Sequence, residues 1–467
     1  MSVFTKVVSV FRLFIQALKG EEQSYTSGSL DKAIFMLSIP MILEMSMESL
    51  FAIVDAFYVS RLGVDALATV SLTESILTLV YSIAIGISMG ATAMVARRVG
   101  EKNIVEAAKA GVQAIYFATA LSLVLSLGGI FFASDILAVM GASESVIETG
   151  SGYTRWMFGG NITIMLIFLI NAIFRGAGDA SLAMRVLILS NGLNIILDPI
   201  FIFGFGPIPA FGVEGAAIAT TIGRGIGVFY QISHLIYGKG LIKIHRENLQ
   251  IDWGIIGRLI KVSAGGTGQF IIASASWIFL IRIISTFGSE ALAGYTIAIR
   301  VIIFAILPAW GMANAAATLV GQNLGAGQPD RAEKSVWRTG FFNMIFLAFI
   351  TVIFFTLASP IIEVFTTDPG VLTNAIQCLQ IVSLGYVFYA YGMVVAQSFN
   401  GAGDTRTPTI LNFFAFWMFQ IPLAYALAIG LDFGPKGTYI AIVIAESALA
   451  IVSIMIFRRG KWKETKI

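Results

Sequence analysis

Apolar residues run along this chain in blocks of about twenty or more, the length one helix needs to cross a bilayer, and short polar, charged stretches separate them. That pattern predicts twelve membrane-spanning helices, over residues 36–60, 66–95, 110–133, 152–174, 181–205, 212–237, 256–286, 290–320, 337–358, 372–398, 407–430 and 437–457. Ahead of them, Phe4, Val7, Val8, Phe11, Phe14, Ile15 and Leu18 recur at helical spacing, with Lys6, Ser9, Gln16 and Lys19 between. This predicts an amphipathic helix on the membrane surface, within a cytoplasmic segment 1–35. No small-residue cleavage site follows an apolar core here, so residues 1–20 do not read as a secretory signal.

Two polar patterns stand out against this background. The first is a repeat. Phe174-Arg-Gly-Ala-Gly-Asp179 returns as Phe399-Asn-Gly-Ala-Gly-Asp404, an offset of 225. The same offset aligns Leu62-Gly63 and Asp65-Ala-Leu-Ala68 with Phe287-Gly288 and Glu290-Ala-Leu-Ala293. Six spans therefore repeat in parallel, as in many alternating-access transporters. The predicted fold is an all-α polytopic membrane protein of two pseudo-symmetric six-helix bundles around a central cleft. Its lobes are residues 36–237 and 256–457, joined by the basic linker 238–255, with a basic tail at 458–467. The second pattern is a buried polar face. Asn191, Asn194 and Asp198 are spaced i, i+3, i+7, which stacks them on one side of a helix, and Pro199 frees the carbonyl of Ile195 beside the carboxylate.

Composition narrows the class. The chain of 467 residues is 57% hydrophobic and only 12% charged, far from a soluble mix. A net charge of +3 gives no reason to expect nucleic acid as a partner; lipid and small molecules are the expected ones. Cys378 alone excludes an internal disulfide, and His234 and His245 lack metal-ligand spacing, so neither cofactor nor zinc is expected. Of the 30 Lys and Arg, 24 fall in loops on the side shared by both termini, whereas Arg61 and Lys436 fall on the other. The positive-inside rule places both termini in the cytoplasm.

Acids at membrane depth are costly, about 2.5–3.5 kcal/mol each on insertion scales, and are functional by default. Asp55 and Asp198 both fall in the outer halves of their spans, with Tyr153 and Thr220 at similar depth. Carboxylates, an amide and hydroxyls can ligate Na⁺ at Asp55, Asn194, Asp198 and Thr220; alternatively, two close carboxylates can share a proton. Sequence leaves both open. Glu44 and Glu48 share the face of Asp55 on the first span, forming either a proton path or a water-facing wall. Shifted by 225, Asp55 becomes Leu280, Asn194 becomes Phe419 and Asp198 becomes Leu423, so the acids belong to the first lobe alone. Arg224, Arg282 and Arg300 read as partners for acids or carbonyls. The twice-occurring Gly-Ala-Gly-Asp matches the Gly-x-Gly-Asp signature of intramembrane aspartyl proteases, and equally a tight turn with an Asp helix cap. Met157, Met184, Met312 and Met393 read as packing or as the lining of a greasy cavity.

These blocks together resemble the MATE (multidrug and toxic compound extrusion) transporters. The resemblance rests on Pro40, Val54-Asp55, Ala96-Arg-Arg-Val-Gly100, Phe174–Asp179, Leu197-Asp198-Pro199, Gly215-Ala-Ala-Ile-Ala-Thr220, Gly321-Gln-Asn-Leu-Gly-Ala-Gly327 and Gly401-Ala-Gly-Asp-Thr-Arg406. It covers the chain from about residue 30 to 457 and is similar in detail to the DinF-like and archaeal-like branch. It implies a monomeric, non-enzymatic antiporter of the inner membrane, exporting organic cations and amphiphiles in exchange for H⁺ or Na⁺. The implied ion site is Asp55 and Asp198 with Asn194, Tyr153, Asn171 and Thr220, and the implied hinges are Pro40 and Pro199. A lipid-linked glycan flippase of the related exporter superfamily is the alternative.

Overall fold

The structure is a computed structural model that describes residues 3–20 and 25–467; the side chains of residues 3–10 lie outside that description. In chain order the helices are α1 (Val3–Lys19), α2 (Leu30–Ser60), α3 (Val64–Gly100), α4 (Ile104–Phe131), the short α5 (Ala133–Val139), α6 (Glu144–Gly159), α7 (Asn161–Ala177), α8 (Ala180–Phe203) and α9 (Val213–Tyr237). They continue as α10 (Trp253–Ser285), α11 (Ser289–Gly325), α12 (Pro329–Thr356), the short α13 (Ala358–Glu363), α14 (Pro369–Ser383), α15 (Tyr386–Ala402), α16 (Arg406–Gly430) and α17 (Pro435–Arg458). No strand forms among the described residues. Among the described residues ten spans are long and apolar enough to cross a membrane, α6 and α7 counting together, and the pair α14–α15, bent by 59°, makes an eleventh. The twelfth is α9, whose Glu214, Arg224 and several glycines dilute its apolar character. Each helix or pair falls on one predicted span.

The repeated Gly-Ala-Gly-Asp blocks fold as the same turn. Gly178 and Gly403 take φ of 95° and 89°, the left-handed region that favours glycine. The next residue caps the following helix: Asp179 accepts the Leu182 N–H at 3.1 Å, and Asp404 accepts the Thr407 N–H at 3.1 Å. Both acids are thus spent on backbone donors, which accounts for the motif without a proteolytic role. The α1 helix forms as expected; of its apolar positions, Phe4, Val7 and Val8 have side chains outside the description, and Phe11 is 65% exposed. Arg185 donates to the carbonyls of Leu18 and Lys19 at 3.0 and 2.6 Å, satisfying orphan acceptors at its C-terminus.

Contacts divide the chain into two units. Unit 1 contains α1 and Leu43–Thr267; unit 2 contains the start of α2 through Ile42, and Gly268–Ile467. Thus α2 and α10 are each shared, at boundaries 225 residues apart, where the sequence suggests a plain division at the linker. Close helix crossings explain it. Within unit 2, a Cβ on Gly311 would stand 2.5 Å from the Met41 carbonyl; within unit 1, a Cβ on Gly86 would stand 2.7 Å from the Ser263 carbonyl. These glycines are themselves 225 apart, so each copy uses the same close approach. The linker is fastened within unit 1, where Gln113 donates to the Gln250 carbonyl and Tyr116 to the Leu249 carbonyl, at 2.9 and 3.1 Å. Lys109 holds Asp252 at 2.8 Å, and Asp252 caps α10 through the N–H groups of Gly254 and Ile255.

The repeat is not in constant register. In unit 1 the Phe211 and Gly212 N–H groups bond the carbonyls of Phe201 and Ile202; in unit 2 those of Phe433 and Gly434 bond Leu427 and Ala428. The late part of α8 therefore maps onto α16 with an offset of 226. The extra residue is accommodated by a π-helical stretch, Phe413–Gln420. Burial agrees: Asn194, Asp198 and Ile202 are 2%, 0% and 1% exposed, and Gln420, Ala424 and Ala428 are 3%, 0% and 0%. The counterparts of Asn194 and Asp198 are thus Gln420 and Ala424, and not Phe419 and Leu423. An amide survives in the second copy; the acid does not.

Candidate ion site in the first helical unit

Three polar layers line the interior of unit 1, and α2 contributes an acid to each. The i, i+3, i+7 face of α8 is buried as its spacing requires, while Ile188 and Ile196 on its other side are exposed. A second stripe runs along α9, and Gln231 belongs to it beside Thr220 and Arg224. Thr220, Arg224 and Gln231 are spaced i, i+4, i+11, one helical face, and all three are buried. Glycines bring α8 and α9 together: a Cβ on Gly223 would meet the Ser190 carbonyl at 2.8 Å and Asn194 at 3.4 Å.

In the innermost layer Glu44 accepts from Arg175 at 2.5 Å and from Asn171 at 3.0 Å. Gln231 donates to Asn171 at 2.7 Å and to the Ile167 carbonyl at 3.0 Å. Asn171 therefore stands with Glu44, and its side-chain hydrogen bonds do not reach the Asp198 group with which the resemblance places it. The second copy repeats this layer without charge. Gln269 and Asn400, at the 225-shifted positions of Glu44 and Arg175, exchange amide hydrogen bonds of 2.9 and 3.2 Å.

In the middle layer Arg224 donates to the Tyr81 hydroxyl at 3.0 Å and to Glu48 at 3.4 Å. Its guanidinium lies over the rings of Phe51 and Tyr81, 5.2 and 5.8 Å from their centroids. Asn191 reaches the Met47 carbonyl at 3.2 Å and Glu48 at 3.5 Å. Glu44 and Glu48, a candidate proton path by sequence, thus each face an arginine. Arg282 and Arg300, by contrast, are exposed.

The outer layer has no such balance. Asn194 donates to Asp198 and to the Thr220 hydroxyl, both at 3.1 Å. Asp55 is 8% exposed and lies within electrostatic reach of Asp198, Tyr153, Glu74 and Arg224. Neither Asp55 nor Asp198 forms an ion pair among the described residues. Asp198 Oδ2 and Asn194 Oδ1 are buried with no donor there, an arrangement that costs free energy unless a cation or proton is supplied. No group of three or more His, Cys, Asp or Glu suited to a metal occurs among the described residues. The arrangement therefore offers two carboxylates completed by neutral oxygens, which suits a proton or one hard monovalent cation. Pro40 and Pro199 both sit inside unbroken helices.

Six spans repeated in parallel, with buried aspartates in one copy, are the architecture of a polytopic membrane transporter. The MatE family model matches residues 40–200 and again 267–426, and the chain belongs to the MatE family. A probable multidrug resistance protein of Bacillus subtilis, YoeA, is 28% identical over 95% of this chain and 97% of its own length. An FAD transporter of Shewanella oneidensis is 25% identical over 93% of this chain and 95% of its own. A solved outward-facing multidrug-resistance MATE transporter superposes with a TM-score of 0.89 at 26% identity, covering 95% of this chain and all of that one.

Proposed function

We propose that this MATE transporter is a secondary antiporter of the inner membrane that exports cationic and amphipathic organic compounds, with H⁺ or Na⁺ entering through Asp55 and Asp198. The observation that carries the reading is the outer layer of unit 1, where, among the described residues, two buried carboxylates form no ion pair and two buried oxygens have no donor. Asn194, itself held by Thr220, orients Asp198, and Tyr153 lies within electrostatic reach of Asp55. Glu44 and Glu48, already facing arginines, act as structural charge in this scheme. A loaded site moves the conformational equilibrium only by the difference in its cation affinity between the two states. Pro40 and Pro199 are the proposed places where helices yield, since each removes a backbone hydrogen bond. Multidrug substrates follow the name of the Bacillus relative; the FAD-transporting relative makes an organic anion the competing cargo.

Efflux from proteoliposomes under an imposed pH or Na⁺ gradient tests the reading, with a dye cation in one arm and FAD in the other. The expected result is gradient-driven dye export that falls at least about tenfold in both Asp55→Asn and Asp198→Asn. Wild-type rates in both variants would sink the site assignment; transport of FAD alone would sink the substrate class.

A further inference from the structure

Two arginines are buried in unit 1 among the described residues, and their acids hold them at different distances. Arg175 meets Glu44 at 2.5 Å, forming a compact neutral pair. Arg224 meets Glu48 only at 3.4 Å, longer than the roughly 2.7–2.9 Å of a strong charge-assisted bond. Its closer partner is the neutral Tyr81 hydroxyl at 3.0 Å, and aromatic rings flank its guanidinium. At 4% exposure, water scarcely screens it. It sits one turn along α9 from Thr220, whose hydroxyl accepts from the same Asn194 that binds Asp198. Asp55 lies within its electrostatic reach. The second copy supplies a control. The loop register that pairs Gly212 with Gly434 maps Arg224 onto Glu446, and there Leu280 and Ala424 replace the two aspartates. Where the two aspartates are absent, so is the arginine, and an acid, Glu446, stands in its place.

We propose that Arg224 is a specificity-determining residue of the Asp55–Asp198 site, its fixed positive charge setting how tightly the carboxylates hold their cation. The inference rests on reading that pair as a cation site. Two carboxylates with no counter-charge would bind a cation too tightly to release it, and a transport site must both load and unload. A resident guanidinium weakens loading without entering the ligand set. The charged and titratable groups facing this region are Glu48 and Asp55 from α2, Glu74 and Tyr81 from α3, Tyr153 from α6 and Asp198 from α8. Arg224 is the cation among them.

The test is thermal stability of the purified protein against pH at zero Na⁺ and against Na⁺ at fixed pH, with the Asp55→Asn/Asp198→Asn double variant as baseline. The cation-dependent part of the melting temperature gives a midpoint. Arg224→Gln removes the positive charge, so its midpoint moves toward tighter binding by about tenfold, that is, to about one unit higher pH or about tenfold lower Na⁺. Arg224→Lys keeps the wild-type midpoint to within about threefold. Glu48→Gln removes an acid and moves the midpoint the opposite way, a signature that general damage to the fold does not produce, and it still decides the matter if Arg224→Gln does not fold. An unmoved midpoint in both Arg224→Gln and Glu48→Gln, or equal shifts in Arg224→Gln and Arg224→Lys, overturns the proposal. A wild-type protein that answers to neither cation overturns instead the cation-site reading on which it stands.

Discussion

The pairing of Glu44 with Arg175 is invisible in the sequence, where the two stand 131 residues apart. What the sequence does show is the inward face that each side chain shares with its neighbours. Asp55, Asp198, Asn194 and Thr220 were legible as one group because period and depth sufficed. Asn171 was not, because depth along a helix says nothing of which neighbouring helix a side chain meets. Tyr81 and Gln231 have no signature in the sequence, because single neutral polar residues in apolar helices carry no distinguishing pattern. The second copy suggests how to test the inner pair. Arg175→Asn alone leaves a buried carboxylate without its partner and should cost about 3–5 kcal/mol. Adding Glu44→Gln rebuilds the amide pair of Gln269 and Asn400, and most of the lost melting temperature should return. A double variant no more stable than the single would show that the charge itself is needed.

Whole elements were readable from period and turn chemistry, as the two Gly-Ala-Gly-Asp turns illustrate. The π-helical stretch in α16 was not. A single extra residue among Phe413–Gln420 carries no Gly or Pro to mark it, yet it turns Gln420 inward in place of Phe419. Close approach of α8 to α9 is what lets Thr220 meet Asn194. Gly223→Val should therefore push the Ser190 carbonyl away and abolish gradient-driven transport, whereas Gly192→Ala in α8, with nothing within 4 Å of its added Cβ, should leave transport intact and raise the melting temperature slightly. Loss of transport in Gly192→Ala as well would separate glycine's role from helix approach. At the fastened linker, hydrogen bonds from Lys109 and from the Ile255 and Gly254 backbone hold the Asp252 carboxyl below the usual carboxylate range. A depressed folded-state value adds stability above the ordinary range and loses it as pH falls through about 4 and below. Protection of the amides of residues 248–256, taken relative to their intrinsic exchange rates, should accordingly fall in that window, and should fall at neutral pH in Asp252→Asn.

At the scale of the molecule, twelve spans and a duplication could be counted from apolar runs and one recurring offset, and the twice-matching family model agrees. How the shared helices α2 and α10 divide between the units could not, because glycine crossings, and not loop composition, draw that boundary. The proposed orientation, with both termini in the cytoplasm, rests on the basic loops alone. In a Cys378→Ser background, a cysteine at Lys243 should react with an impermeant maleimide only from the cytoplasmic side, and one at Glu144 only from outside; the reverse pattern would invert the topology. The layered pairing of unit 1 bears finally on membrane voltage. A unit charge crossing 100 mV changes in energy by about 2.3 kcal/mol. The compact pair of Glu44 and Arg175 carries no net charge, so it moves through that field at almost no electrical work. Asp55 and Asp198 change charge on loading, so under the proposed exchange the membrane potential acts on the transport cycle through their occupancy.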